Sequence, residues 1–478
     1  LKKVDKNMTN LIASDQKRLI IGMGQTGLSC ARFLVAKGMS FDLCDTRELL
    51  PNQAEIEAEF PQCHFFNGNL DIDVLTQYQE LIVSPGIAIA EPAIAAAIQH
   101  GCRVRGDVDI FAEFVTKPVV AITGSNGKST VTTLVGEILA AAGHKPAVCG
   151  NIGIPVLDVL LNDDEFACYV VELSSFQLET THHLAAEVAC VLNLSEDHMD
   201  RYDSMLAYHQ AKHRIFQGCR SIVINREDPL TQPLVSTSMP KRSFGLQMAD
   251  NKVAVKNQYA IATLEVEKGV QAEYLMFEQQ SIFPVADLKI KGRHNQLNAL
   301  AAIALIESLP IQFKVESTQL EKVLAEFVGL AHRCAWVAED QGVEFFNDSK
   351  GTNVGSTLAA IEGLAGHECK NIILIAGGVG KDQDFEPLAE ACQLNVKSAQ
   401  LFGRDASLIA QNLGSSCELN VVDTLEQALV NAKALASTGD VILFSPACAS
   451  FDQFDNYVQR GEVFEGLVMN MINEQGAS

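Results

Sequence analysis

The sequence predicts an α/β protein of three domains built on mostly parallel sheets. Short apolar runs alternate with alanine-rich periodic stretches along all 478 residues, a pattern that puts helices on both faces of parallel strands. Two glycine-rich turns, one opening at Gly22 and one at Gly124, each lie between an apolar run and a helical stretch. At roughly 150 residues per domain, the length accommodates three.

The elements follow in order. Strands are expected at 18–21, 41–44 and 81–84, then at 119–123, 168–171, 188–192 and 222–225, and finally at 344–346, 372–376, 400–402 and 441–445. Helices are expected at 28–37, 131–142, 295–306 and 425–434, with Lys212 on a further one. Residues 245–290 read as a β-rich insertion, with alternation over 259–266. Boundaries fall near Gly106 and Gly329, giving domains of 1–106, 107–329 and 330–478.

Composition excludes several classes. Hydrophobic residues make up 47% and mean hydropathy is +0.11, enough for large buried cores. No apolar run reaches the ~18 residues of a membrane span, and the polar start Leu1–Asn7 is not a signal peptide. Thirteen scattered cysteines without a C-x-x-C pair read as reduced core thiols of a cytoplasmic protein. A net charge of −23 argues against nucleic-acid binding.

The sharpest motif is Gly124-Ser125-Asn126-Gly127-Lys128-Ser129-Thr130. Its glycines allow a tight turn whose N–H groups face an anion, and the following helix adds its positive end. Lys128 reaches β- and γ-phosphates, and the Ser129 hydroxyl suits Mg²⁺. Position 122 is Ile, so this is a shortened phosphate-binding loop. Gly22-Met23-Gly24-Gln25-Thr26-Gly27 is a full G-x-G-x-x-G fingerprint, with Asp45 ending the next strand. It suits a nucleotide diphosphate. Glu172 ends a buried strand beside the phosphate loop, a position fit to hold Mg²⁺. His198 lies in a polar loop after the next strand, and Asn295 and Asn298 share a helix face suited to a purine or ribose. Polar loops at 347–353, 377–381 and 445–452 point to a second substrate site.

These runs together, with TGSNGKST, ELSSFQLETT, EDHMDRY, GRHN, NDSKGTN and SPACASFDQF in order, resemble the Mur ligases of peptidoglycan synthesis, most closely the branch that adds D-glutamate. The resemblance covers nearly the whole chain. It implies a Rossmann-like N-terminal domain, a central P-loop ATPase domain with a mostly parallel sheet, and a C-terminal Rossmann-like domain. It implies a monomeric ligase whose substrates are ATP, UDP-N-acetylmuramoyl-L-alanine and D-glutamate, acting through an acyl phosphate with two Mg²⁺ ions. A family member adding a different amino acid is the alternative.

Residue by residue, the resemblance gives Gln25, Thr26, Asp45, Thr46, Arg47, Gly86, Asn151 and His198 to the UDP-linked substrate. It gives 124–130 with Asn298, Arg333 and Asp348 to ATP, and Thr352, Lys381, Ser450, Phe451 and Tyr457 to D-glutamate. Ser129 and Glu172 would hold one Mg²⁺. His198 and Lys212, the latter as a carbamate, would hold the second. Lys128, His198, Lys212 and Arg333 would be catalytic, with Arg333 reaching the nucleotide only on domain closure. Two features depart from the family pattern: the lysine-containing start before Leu19, and Val379 where relatives often carry an acid.

Overall fold

The computed structural model describes residues 16–236, 238–248, 257–267, 269–366 and 370–476. The start before Gln16 and part of the expected insertion, 249–256, lie outside them. Three sheets follow one another along the chain.

The first sheet has the order Phe65–Asn67, Asp42–Asp45, Arg18–Ile21, Glu80–Val83, Arg103–Arg105, and every pair is parallel. The chain enters at the central strand and leaves to both sides, so its glycine turn opens at the switch point. The helix Gln25–Ala36 starts inside the fingerprint, three residues before the expected start. Gly27 permits this: a β-carbon there would strike the Gly22 carbonyl oxygen.

The central sheet has nine strands. Pro146–Gly150, Cys168–Glu172, Val119–Thr123, Val188–Val191, Ile222–Asn225, Lys241–Phe244 and Gln258–Glu267 run parallel. Val270–Phe277 and Gln280–Pro284 then fold back antiparallel. The expected insertion is therefore β-rich where described, but it continues the central sheet. The helices Lys128–Ala141 and Arg293–Ile306 pack together on one face, with Leu134, Ile138, Leu300 and Ile303 in a shared core.

The third sheet runs Ala335–Asp340, Val343–Asn347, Val441–Phe444, Ile372–Gly377, Val396–Phe402, Glu418–Val421. Only its first pair is antiparallel. The carboxyl ends of the central strands and of the third sheet's strands supply most of the polar loops described next, as open parallel sheets dictate. The described cysteines are free thiols. No helix among the described residues is long and apolar enough to cross a membrane.

Candidate active site

The phosphate loop leaves the buried strand Val119–Thr123 and enters the helix Lys128–Ala141. Gly127 carries φ +79°, and a β-carbon there would stand 2.5 Å from Asn298 Oδ1. Both the left-handed backbone and the close approach demand glycine. Gly127→Ala is expected to push Asn298 aside and raise KM for ATP at least ~10-fold, since sub-ångström placement governs such sites. An unchanged KM in steady-state kinetics would contradict this.

Lys128 Nζ donates to the carbonyls of Gly124 (2.9 Å) and Ser125 (2.8 Å). Lys212, from the helix Met205–His213, donates to the same Gly124 oxygen at 2.8 Å. Its Nζ lies over the Tyr208 ring. Burial, reinforced by the neighbouring Lys128 ammonium, pushes the Lys212 amine well below the usual lysine range. As an ammonium Lys212 only donates and holds no cation.

Glu172 ends its strand almost fully buried. One oxygen accepts from Asn151 Nδ2 at 2.8 Å, while the other, Oε2, is buried without a partner. A buried carboxylate oxygen left open in this way calls for a cation. Ser129 Oγ lies at the start of the helix Lys128–Ala141 and accepts from Arg333 Nη2 at 2.6 Å. Arg333 thus already reaches the phosphate loop from the third-sheet segment, and no further closure is needed for that contact. Asn126 Oδ1 accepts from Ser356 Oγ (2.6 Å) and Asn353 Nδ2 (3.1 Å), and Lys381 Nζ pairs with Asp197 at 3.0 Å. All of these contacts span the two segments.

Three pockets meet here. The first is lined by Asn126, Gly127, Thr130, Asn295, Asn298, Arg333, Asp348 and Lys350. Asp348 accepts from Ser445 Oγ (2.6 Å) and from the Cys334 N–H, yet burial raises its carboxyl to about 7. The second pocket is lined by Gly22, Gly24, Gln25, Thr26, Asp45, Thr46, Arg47, Gly86 and Asn151. Asp45 is not a free carboxylate: it accepts from the Met23 N–H (2.7 Å) and from Arg47 (2.7 Å). Burial opposes ionisation, but these donors hold its carboxyl at about 2.

The third pocket joins the other two. It contains Lys128, Glu172, His198, Lys212, Arg333, Thr352, Lys381, Ser450, Phe451 and Tyr457. It shares Asn126, Arg333 and Lys350 with the first pocket, and Gly86 and Asn151 with the second. His198 lies on this shared side and not among the fingerprint residues. Its backbone is left-handed, at φ +59°. Burial depresses its imidazole to about 4, so the ring is neutral at physiological pH. Gly124 and Ser129 are not among the residues that line these three pockets.

Lys350 was missed among the candidate residues, although it lies inside the NDSKGTN run. Its Nζ stands 3.9 Å from the Tyr457 ring centre, and burial with nearby Arg333 lowers it to about 8. Asp197 was missed too, because it lies beside the histidine that drew attention.

His294 joins two segments: it lies in the first turn of the helix Arg293–Ile306 and hydrogen-bonds the backbone of Ala359. Burial lowers it to about 4. Unfolded histidine binds a proton below ~6.5, whereas the folded form does so only near 4. The associated stability is present above the unfolded value and is lost as pH falls between the two. His294→Gln should flatten the fall of Tm between about pH 6.5 and 4 relative to the parent protein. Parallel Tm–pH curves would contradict it.

Comparison with known proteins decides the family. Residues 16–106 match the Mur ligase MurD-like N-terminal domain, 122–306 the Mur ligase middle domain, and 332–448 the Mur ligase glutamate ligase domain. A protein from Pseudomonas savastanoi named UDP-N-acetylmuramoylalanine–D-glutamate ligase is 49% identical over 96% of this chain and 99% of its own. The chain belongs to the Mur ligase family. Proteins of the same name from Pseudomonas aeruginosa and Saccharophagus degradans are 49% and 46% identical, each over 96% of this chain and 99% and 98% of their own. Solved Mur ligases share the fold at low identity. A UDP-N-acetylmuramate-alanine ligase from Thermotoga maritima gives TM-score 0.56 at 20% identity, covering 95% of this chain and 100% of its own. A pseudomurein peptide ligase from Methanothermus fervidus gives 0.57 at 17%, covering 96% and 100%. The α/β three-sheet architecture of this Mur ligase matches the fold expected from its sequence.

Proposed function

We propose that this protein joins D-glutamate to the alanyl carboxylate of UDP-N-acetylmuramoyl-L-alanine in peptidoglycan synthesis, cleaving ATP to ADP and phosphate through an acyl phosphate. One observation carries the reading. A pocket holding Lys128, Glu172 and Arg333 shares walls with two others, one shaped by a phosphate loop and one by a dinucleotide-type fingerprint. The relatives' names supply the amino acid.

In this reading the triphosphate lies along the loop Gly124, Ser125, Asn126, Gly127, Lys128, Ser129 and Thr130, where the Ser125 and Asn126 N–H groups are held by Asn193, with Asn298, Arg333 and Asp348 along the nucleotide. Lys128 exchanges its carbonyl partners for β- and γ-phosphate oxygens. Gln25, Thr26, Asp45, Thr46, Arg47, Gly86, Asn151 and His198 hold the UDP-linked acid. Its carboxylate attacks the γ-phosphorus, an O–P bond forms, and the bond to ADP breaks. Such transfer needs positioning and charge neutralisation above all. Lys128 and Arg333 supply both from opposite segments. D-glutamate sits among Thr352, Lys381, Ser450, Phe451 and Tyr457. Its amine attacks the acyl carbon and phosphate departs. Packing of the third-sheet segment over the phosphate loop keeps water from the acyl phosphate.

Mg²⁺ fits the donors: Ser129 Oγ and the open Glu172 Oε2 would hold one ion, which offsets repulsion between the two anionic substrates. His198 and Lys212 fit a second only with Lys212 as a carbamate, which is an oxygen ligand. The proposal includes the domain limits 1–106, 107–329 and 330–478, a monomer, and a cytoplasmic location. Incubation with ATP, Mg²⁺, UDP-N-acetylmuramoyl-L-alanine and either glutamate enantiomer should give the amide, by mass, with D-glutamate alone. Product only with another amino acid would favour a different ligase of the family, and no amide at all would sink the reading.

A further inference from the structure

Arg201 belongs to the polar loop after Val188–Val191 and is outside the set of residues expected to act. Its guanidinium donates from Nη1 to the Pro85 carbonyl (3.0 Å) and from Nη2 to the Ile87 carbonyl (3.3 Å). Nη2 also pairs with Glu179 at 2.6 Å, both side chains being nearly buried. The guanidinium carbon lies 4.2 Å from the centre of the Phe176 ring. The same ring meets His198 in an edge-to-face arrangement, with centres 4.7 Å apart. Three of the five N–H donors are therefore held by two carbonyls and a carboxylate, and the flat face by a ring, which suits arginine and not lysine.

The two carbonyls belong to the turn 84–87, closed by the Ile87 N–H on the Ser84 carbonyl. Ser84 Oγ in turn donates to the Gly22 carbonyl at 2.8 Å. The turn is thus fastened to the fingerprint at one end and to the central segment at the other. Gly86, between the two carbonyls that Arg201 holds, is one of two residues common to the fingerprint pocket and the reaction pocket.

We infer that Arg201 is a positioning residue that sets the register between the UDP pocket and the reaction pocket, so that one ligand can occupy both. This rests on the ligase reading. A ligand spanning two pockets binds well only while their spacing is fixed. A ligand confined to the fingerprint pocket feels less of this demand: of that pocket's walls Arg201 hydrogen-bonds only the Pro85 and Ile87 carbonyls, whose turn stays fastened to Gly22 through Ser84.

The test uses Arg201→Lys, which keeps the charge but loses the fork, with Arg201→Ala beside it. Titration calorimetry on the full chain compares UDP with UDP-N-acetylmuramoyl-L-alanine. The expected result is a loss of about tenfold or more in affinity for the spanning ligand with UDP affinity unchanged within about twofold. In kinetics, KM for the UDP-linked acid should rise while KM for ATP and for D-glutamate hold. Glu179→Gln, which frees one side of the guanidinium, should shift the same quantities in the same direction by less. Equal weakening of UDP and the spanning ligand in Arg201→Lys would make Arg201 a fold element only and overturn the inference. Unchanged binding of both would overturn it as well. Neither outcome depends on turnover, so a parent protein that forms no amide with D-glutamate fails the functional reading separately.

Discussion

Lys128→Ala is expected to lose at least ~100-fold in kcat, the scale for removing a preorganised transition-state charge partner, while keeping its fold. The Nζ of Lys128 is satisfied by two loop carbonyls, and burial lowers its pKa. It shares the Gly124 oxygen with Lys212. Two ammonium groups on one buried carbonyl repel, and neither is well solvated. Removing one relieves the other, so Tm should hold or rise as activity collapses. This opposition of sign separates a functional lysine from a structural one. Steady-state turnover and a thermal melt of the same preparation check it. Near-normal turnover would remove the phosphate-loop assignment, and joint loss of turnover and Tm would make the residue structural.

Arg333→Ala should lower kcat by about 10³, the lower end of the range for an arginine that meets phosphoryl charge. The chain places it at some conformational cost. His332 (φ +61°) and Cys334 (φ +49°) flank it in left-handed backbone, costly for residues with a β-carbon. The strain is held by neighbours: His332 Nδ1 bonds Asn347 Nδ2 at 2.9 Å and lies 3.6 Å from Glu465. The Cys334 N–H donates to Asp348 at 3.1 Å. The outcome is a side chain that crosses to Ser129. Arg333→Lys should recover little, since a point charge cannot reproduce the fork. Affinity for UDP-N-acetylmuramoyl-L-alanine should stay within about twofold, because Arg333 lies away from the fingerprint. Presteady-state phosphate release and calorimetry read the two quantities. A kcat within about threefold of the parent protein would contradict the role.

Much of this was legible in the chain because buried parallel strands are short apolar runs that end in chemistry. Val119–Thr123 and Cys168–Glu172 end at the phosphate loop and at Glu172, and both could be read from the sequence. The three-residue strands Phe65–Asn67 and Arg103–Arg105 could not, since they carry polar or exposed residues and owe their geometry to a neighbour. Pro146–Gly150 begins with a proline, tolerated because the strand is an edge. The site divided similarly. Residues with special chemistry in glycine-rich runs were visible. Arg201, Asp197 and Lys350 were not, because they meet partners far off in the chain, such as Pro85, 116 residues from Arg201, and Lys381, 184 from Asp197. Asp45 was legible by its position at a strand end, but its hydrogen bonds to the Met23 N–H and to Arg47 were not.

The central claim is that a carboxylate is activated by phosphoryl transfer from a triphosphate held at the loop 124–130. It is tested most directly by placing ¹⁸O in both carboxylate oxygens of UDP-N-acetylmuramoyl-L-alanine, running the reaction with ATP and D-glutamate, and weighing the released phosphate. One labelled oxygen is expected in the phosphate released with each amide formed. Amide formation with unlabelled phosphate would contradict it.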